Sequence, residues 1–169
     1  AEQKCFDLLL QAWQKVEREI DEWELEIVCG YGDHVALHRE AEQMGLRRVS
    51  CCGPTKDVRG KLAGSGIYAL SSRFEGFGLV LTEAATMGVP AVSYDCPVGP
   101  SEIITDGVDG LLVEPGNTDQ FADRLLWLMR HDAERLARGR RAFDSAKRFS
   151  TEAIMPQWVE LIDKVMGMA

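Results

Sequence analysis

Short apolar segments alternate with helical segments along most of this chain, and this alternation constrains the fold more than any other feature. In the first helical segment, residues 6–20, the apolar side chains recur at helical spacing at Leu9, Leu10, Trp13, Val16 and Ile20. The predicted strands lie at 25–28, 49–52, 67–71, 91–94 and 111–113. Helices are predicted at 6–20, 35–44, 57–63, 77–87 and 101–104, with three more after residue 117. This order predicts a Rossmann-like α/β fold, in which helices cover both faces of a parallel sheet.

The composition is that of a globular protein. Its 169 residues suffice for one domain with a hydrophobic core, and the 46% hydrophobic and 27% charged residues are ordinary values. A formal net charge of −8 argues against nucleic acid as a partner, which would require clustered Lys and Arg. No apolar run approaches the ~20 residues of a transmembrane helix. We expect a cytoplasmic protein, with peripheral association at the inner face of the membrane left open.

Cysteine and histidine form no recognisable metal motif. The five cysteines lack the two spaced pairs of a zinc site, and we expect them to be buried, reduced thiols. His34 and His38 lie four residues apart on one predicted helix face, but the Glu of a zinc-protease motif is absent between them. We interpret both histidines as solvent-facing, and we predict no metal site.

The stretch 72–84, which reads SRFEGFGLVLTEA, carries the clearest chemical signal. Two carboxylates, Glu75 and Glu83, bracket a Gly-Phe-Gly turn that leads from an apolar strand into an apolar helix. The unpaired N–H groups at the start of that helix favour anions, and phosphate in particular. Isolated glutamates at this spacing are usually ordinary surface residues, but the intervening glycine turn favours a binding site. The order of acid, anion cradle and acid suits a sugar, a diphosphate and a ribose bound in a row.

Around this motif the chain resembles the retaining GT-B glycosyltransferases of family 4, whose signature is two glutamates separated by seven residues. Further segments match the landmarks of that family in order, at 7–13, 25–28, 52–55, 88–92, 98–104 and 110–113. The resemblance covers nearly all of residues 1–169, but only the C-terminal, nucleotide-sugar-binding half of such enzymes. It therefore implies the C-terminal domain of a GT-B fold, without the acceptor-binding N-terminal domain.

The resemblance also implies roles for particular residues. Glu75 would contact the donor sugar near the reacting carbon, and Glu83 would accept hydrogen bonds from the ribose hydroxyls. Backbone amides of Gly76, Phe77, Gly78 and Leu79 would bind the sugar and the diphosphate, and Lys4 matches the lysine that contacts phosphate. A nucleobase loop would include Cys52 and Gly53. The usual proposal for such enzymes is same-face attack with the diphosphate oxygen as base, and it requires no metal ion.

The implied donor is a nucleotide-diphosphate sugar. The segment 99–102, Gly-Pro-Ser-Glu, resembles polysaccharide-assembly transferases that use UDP-hexoses or UDP-N-acetylhexosamines. UDP is therefore the expected nucleotide, and GDP-mannose stays open. The acceptor would be a glycan or a lipid-linked glycan, bound through the N-terminal domain. Ser101 and Glu102 are interpreted as helix-start residues.

Three departures from the family accompany this resemblance. The arginine that accompanies Lys4 is missing together with the strand that carries it, Cys5 stands where a glycine is usual, and the N-terminal domain is absent. In the strand order of the family the missing strand is central, between the strands at 25–28 and 67–71. We therefore expect a fragment that binds donor and is inactive by itself.

Two other classes of function remain as alternatives. The chain could be a non-catalytic nucleotide-sugar-binding module that works with a separate acceptor subunit, and both glutamates fit that reading equally well. A sugar-nucleotide epimerase of the same two-domain architecture would require further catalytic acids and histidine across the cleft, and no residue pattern supports it.

Overall fold

The computed structural model describes residues 3–30 and 32–167, and these form five strands, eight α-helices and one 3-10 turn. The strands are β1 (Leu25–Val28), β2 (Val49–Cys52), β3 (Tyr68–Leu70), β4 (Ala91–Tyr94) and β5 (Gly110–Val113). The helices are α1 (Phe6–Glu19), α2 (Asp33–Gln43), α3 (Val58–Ala63), α4 (Leu79–Thr86), α5 (Pro100–Ile103), α6 (Thr118–Arg130), α7 (Asp132–Ala146) and α8 (Thr151–Met166). The 3-10 turn, Lys147–Phe149, connects α7 to α8.

The strands pair in parallel and belong to two sheets. β1 pairs with β2, with Leu25 opposite Val49, and the second sheet has the order β3-β4-β5. Among the described residues, no strand pairing joins β1 to β3. The break therefore falls between the two strands that, in the resemblance, flank the central strand of the family.

Hydrophobic residues cover both faces of the larger sheet. Val92 of β4 belongs to the main core, which also contains Trp13 of α1 and Phe121 of α6. The preceding residue, Ala91, belongs to a second cluster with Leu81 of α4. Because successive strand residues point to opposite faces, the two clusters lie on opposite sides of the sheet. The predicted parallel α/β fold with helices on both faces is confirmed.

Helix boundaries agree with the sequence pattern to within one residue except at α2, which begins at Asp33 and not at residue 35, and at the motif. The helix after the Gly-Phe-Gly turn was predicted from Phe77, but α4 begins at Leu79. Gly78 has φ +90°, a left-handed conformation that a helix cannot include, so the turn continues for two more residues. This longer turn leaves more of the backbone available to a ligand.

Two expectations about cysteine and histidine are wrong in part. Cys5 and Cys96 are buried, whereas the other three cysteines (Cys29, Cys51 and Cys52) are only half-buried. Those three lie in or directly after the two-stranded sheet, where β1 alternates buried and exposed residues and so has one covered face. His38 is exposed as expected, but His34 is half-buried and its Nδ1 is enclosed without a hydrogen-bond partner in the described chain.

α8 lies largely uncovered. None of its residues is buried, and its exposed large apolar side chains are Met155, Trp158, Val159, Leu161, Ile162, Val165 and Met166. Apolar surface of this extent commonly marks a contact with another domain or protein. Among the described helices, none combines the length and the hydropathy needed to cross a bilayer.

Candidate functional site

Lys4 is held at the carboxyl end of β3 by hydrogen bonds to its own carbonyl and to the carbonyl of Gln3. The Arg73 amide donates to the Gln3 carbonyl at 2.9 Å, and the Ser71 hydroxyl donates to the Lys4 carbonyl at 2.7 Å. The Gln3 side-chain amide donates to the Phe74 carbonyl at 3.0 Å. Residues 3 and 4 therefore lie across the start of the motif loop, more than sixty positions away in sequence.

The Lys4 ammonium and the Glu75 carboxylate form an ion pair. Lys4 Nζ lies 2.8 Å from Glu75 Oε1, and the side-chain exposures are 41% and 9%. The carboxylate is thus largely shielded while the cation reaches open solvent. Cys5, which follows Lys4, has φ +46°. This left-handed backbone explains why glycine is usual at that position in the family that the sequence resembles.

The turn between Glu75 and α4 presents an open row of backbone donors. Within the described chain, the amides of residues 76–80 donate to no backbone or side-chain acceptor. A Cβ on Gly76 would meet nothing within 4 Å, so a ligand can approach the backbone there. Unpaired amides at the start of a helix are the kind of donor that binds phosphate, and the Lys4 ammonium lies beside them on the Glu75 carboxylate.

The loop after β4 supports this turn from behind. Gly99 has φ +104°, and a Cβ at that position would collide with the Phe77 carbonyl. Val98 also adopts a left-handed conformation, with φ +62°, which is rare for a β-branched residue. Strained backbone of this kind often accompanies functional loops, and here it lets the two loops touch.

Glu83 occupies a different environment from Glu75. It is exposed on the second turn of α4, and in the described structure its side chain makes no ion pair or hydrogen bond. The backbone carbonyl of Glu83 accepts from the Thr86 hydroxyl at 2.7 Å. Its carboxylate is therefore available to a ligand without displacing a protein contact.

The proposed nucleobase loop lies at the other sheet. Cys52 ends β2, and its thiol lies 3.6 Å from a carboxylate oxygen of Glu26. Gly53 follows, and the His34 imidazole stands 3.6 Å from the position that a Cβ on Gly53 would take. The structure thus brings Lys4 to Glu75 and to the turn, and leaves Cys52 and Gly53 as a separate group of residues.

Sequence reasoning did not identify two groups near the motif. Burial raises the pKa of the Tyr68 phenol well above its usual value, and the charges of Glu75 and Glu83 raise it further. Burial also raises the pKa of the Cys96 thiol, with Glu75 as the next cause. Neither residue belongs to the motif, so only the packing of β3 and of the loop after β4 against the site reveals them. The described residues contain no group of three His, Cys, Asp or Glu side chains that could hold a metal ion.

The sequence profile of the family described as "Glycosyl transferases group 1" matches residues 1–131. The chain therefore belongs to the group 1 glycosyltransferases. This agrees with the GT-B resemblance of the motif.

Individual relatives point to polysaccharide biosynthesis. The chain is 36% identical over 167 residues to an exopolysaccharide phosphotransferase of Streptomyces coelicolor, covering 97% of this chain and 18% of the relative. It is 29% identical over 162 residues to the amylovoran biosynthesis glycosyltransferase AmsD of Erwinia amylovora, covering 95% and 45%. The chain spans less than half the length of these curated relatives.

A solved structure supports the fold directly. The crystal structure of Staphylococcus aureus TarM, a variant in complex with fondaparinux, α-GlcNAc-glycerol and UDP, superimposes with a TM-score of 0.88 at 28% identity. The match covers 95% of this chain and 33% of TarM. The architecture of the described residues is therefore that of a glycosyltransferase domain.

Proposed function

We propose that residues 1–169 are the nucleotide-sugar-binding C-terminal domain of a retaining GT-B glycosyltransferase of family 4. The donor is a UDP-hexose or a UDP-N-acetylhexosamine, and the acceptor is a glycan or lipid-linked glycan in polysaccharide assembly. The observation that carries the proposal is the Lys4–Glu75 ion pair at 2.8 Å beside a turn whose five amides, residues 76–80, have no acceptor among the described residues. This arrangement brings a cation, an anion cradle and a carboxylate together at the motif loop.

The donor would lie along the motif from sugar to nucleoside. The amides of Gly76, Phe77, Gly78 and Leu79 bind the diphosphate and the sugar, and Lys4 adds a charge-assisted contact to a phosphate oxygen. Lys4 and the helix start supply the positive charge, so the proposal includes no metal cofactor. Glu83, on the second turn of α4, accepts from the ribose hydroxyls.

The nucleobase would occupy the carboxyl end of β2, at Cys52 and Gly53. Parallel α/β sheets bind ligands outside the carboxyl ends of their strands, and Cys52 is the last residue of β2. The UDP in the TarM crystal structure supports the choice of uracil.

Transfer with retention requires the acceptor oxygen to attack on the face that the diphosphate leaves. The bond between the anomeric carbon and the diphosphate oxygen breaks, and positive charge develops at the sugar. Glu75 stabilises that charge, while Lys4 and the turn amides stabilise the departing diphosphate. The acceptor proton passes to the released diphosphate oxygen, so Glu75 need not form a covalent intermediate. The α-glycoside in the TarM complex supports an α-configured product.

A second domain would complete the enzyme. The uncovered apolar side chains of α8 support this, because an isolated domain normally buries a helix face of that size. The lengths of the relatives, of which this chain spans 18% and 45%, agree with it. We therefore expect the 169-residue chain to bind donor nucleotide without transferring sugar. A cytoplasmic location, in contact with the inner face of the membrane through the acceptor, fits this activity.

Calorimetry of the 169-residue chain with UDP, GDP and ADP tests the binding part of the proposal. UDP should bind most tightly, and the Glu83→Gln variant should bind it more weakly. A chain that binds none of the three nucleotides would refute the assigned site. Tighter binding of GDP would keep the site and change the donor to a GDP-sugar.

A non-catalytic sugar-nucleotide-binding module is the second candidate. The observation in its favour is the match to the exopolysaccharide phosphotransferase, of which this chain covers only 18%. A domain like this one is therefore a minor part of that relative. Such a module would bind UDP as above. It would show no sugar transfer when combined with any acceptor-binding partner, whereas the enzyme half would.

A further inference from the structure

The segment between α7 and α8 reaches back to the motif turn. Phe149 packs edge-on against Phe77, with ring centroids 5.5 Å apart and planes at 79°. Arg148 donates through Nη2 to the carbonyl oxygens of Glu102 and Ile103, both at 2.9 Å. The Arg148 guanidinium carbon lies 4.7 Å from the centre of the Phe149 ring. Two adjacent residues therefore contact both the motif turn and the end of α5.

The opposite end of α5 returns to the same turn. Gly99 precedes the helix and lies so close to the Phe77 carbonyl that any side chain there would collide with it. α5 is only one turn long, so its contacts with Arg148 and with the motif turn are three or four residues apart in sequence. The contacts form a closed ring, from Phe77 through Phe149, Arg148 and α5 to Gly99 and back to Phe77.

We propose that Arg148 and Phe149 are positioning residues for the donor site, because the ring they close fixes the backbone between Glu75 and α4. This inference rests on the function proposed above, since it assumes that the turn amides bind the donor diphosphate. Arg148 and Phe149 touch no substrate in this proposal. They act through Phe77 and α5. By keeping the turn in the conformation that binds the diphosphate, they reduce the conformational entropy that is lost on binding.

The geometry distinguishes this pair from ordinary surface packing. A neighbouring pair lies just before it in sequence, where the Lys147 ammonium is 5.1 Å from the centre of the Phe143 ring and Phe143 is 47% exposed. The Phe143 pair is also aromatic and cationic, but neither residue contacts the motif turn or α5 among the described interactions. The Arg148 pair instead satisfies two carbonyl groups at the end of α5, which would otherwise lack intrahelical partners. Phe143→Ala is therefore a matched control.

Amide hydrogen exchange of the 169-residue chain without ligand tests the ring itself. The reporters are the Leu81 amide, bonded to the Gly78 carbonyl at 2.8 Å, and the Ile104 amide, bonded to the Pro100 carbonyl at 2.8 Å. In Phe149→Ala both should exchange about two- to tenfold faster, the factor expected from loss of one aromatic edge contact. The Ile20 amide at the end of α1 should stay within about twofold of wild type, and Phe143→Ala should change none of them.

Calorimetry with UDP and UMP then tests the effect on the site. Phe149→Ala should bind UDP about two- to tenfold more weakly, well below its melting temperature. UMP, which lacks the second phosphate, should lose less affinity. Unchanged exchange at Leu81 and Ile104, or acceleration equal to that at Ile20, would overturn the inference. UDP affinity within twofold of wild type despite local loosening would overturn it as well.

Two further variants keep the test decisive if Phe149→Ala fails to fold. Phe149→Leu retains apolar bulk without the aromatic edge, and Arg148→Lys retains charge without the planar group that reaches both carbonyls. Both should reproduce the local pattern of exchange in milder form, and wild-type exchange in both would count against the ring. If the wild-type chain binds no nucleoside diphosphate, the proposed function fails, while the exchange comparison still decides whether the ring fixes the turn.

Discussion

The two glutamates of one motif lie in opposite environments. Glu75, in the loop, is 9% exposed and forms an ion pair with Lys4 at 2.8 Å. Glu83, on α4, is exposed and has no side-chain partner among the described residues. The pairing of Glu75 depends on a residue near the start of the chain, whereas the position of Glu83 depends only on its own helix. One carboxylate is therefore fixed by tertiary structure and the other by secondary structure.

This difference predicts that the two glutamates divide the work of the site, Glu75 acting in the reaction and Glu83 in nucleotide binding. A shielded, paired carboxylate keeps its orientation without ligand, which suits stabilisation of charge at the reacting carbon. An exposed carboxylate on a helix can accept ribose hydroxyls without breaking a protein contact, which suits ground-state binding. Three experiments test this division, and a fourth tests the buried Tyr68 beside both glutamates; they follow in order of decreasing expected effect.

Replacing Glu75 by glutamine should have the largest effect. In the complete enzyme, Glu75→Gln should lower kcat by about 10²-fold or more, because an electrostatic contact at the reacting centre is lost. Affinity for UDP should change far less, because the turn amides and Glu83 hold the nucleotide. Steady-state kinetics and calorimetry measure the two quantities, and NMR of the first-formed glycoside reports the anomer. An inverted product would contradict the retaining mechanism, and normal turnover in the variant would remove Glu75 from the reaction.

Reversing the charge of Lys4 should come next. Lys4→Glu removes a charge-assisted contact worth roughly 1.5–3 kcal/mol and places a second anion beside the diphosphate. UDP affinity should therefore fall by about tenfold or more, while binding of uridine changes little. Lys164→Glu, on α8, makes the same change of net charge away from the motif and is the control. Equal losses for UDP and uridine would show that Lys4 does not contact the diphosphate.

The Glu83→Gln variant tests the exposed carboxylate. Loss of the charge from the ribose contact should cost about 1–3 kcal/mol of UDP affinity without a matching loss of folding stability. An ordinary helix-face glutamate would change both by no more than about 0.5 kcal/mol. Glu24→Gln, another exposed position, provides the comparison for calorimetry and thermal unfolding. Wild-type affinity in Glu83→Gln would exclude Glu83 from the site.

The smallest effect concerns Tyr68. Burial raises the pKa of its phenol, and the charges of Glu75 and Glu83 raise it further. The folded state therefore holds the phenolic proton more tightly than the unfolded state. Above the ordinary phenol pKa of about 10 the unfolded chain loses that proton first, so stability falls as pH rises, by up to ~1.4 kcal/mol per pH unit. Urea unfolding between pH 9 and pH 11 should show a shallower decline in Tyr68→Phe than in wild type. Burial raises the pKa of Tyr94 to about 12. This second phenol contributes the same pH dependence of stability to wild type and to Tyr68→Phe. Identical slopes would indicate that the phenol is solvated when folded.

Much of the secondary structure follows from local sequence pattern. β1, β2 and β4 begin and end where the apolar segments do, and α1 follows its spacing of Leu9, Trp13 and Val16. The breaks near residues 131 and 150 also agree with the structure. These features could be predicted because each depends on propensity and periodicity within a few neighbouring residues. The start of α4 was misplaced because the left-handed conformation of Gly78 reflects the fit of the turn against the loop after β4.

The sequence by itself determined the family, the parallel α/β fold and the motif with its two glutamates. Glycine spacing, strand length and helix periodicity are local properties. They can be recognised in a sequence without knowing which residues contact each other in space. Only the tertiary structure decided that Lys4 meets Glu75, that Phe149 and Arg148 brace the turn, and that α8 leaves its apolar face uncovered. The Lys4, Phe149 and Arg148 contacts join residues 45 to 72 positions apart in sequence. They depend on how the elements pack in space, which local sequence pattern does not specify.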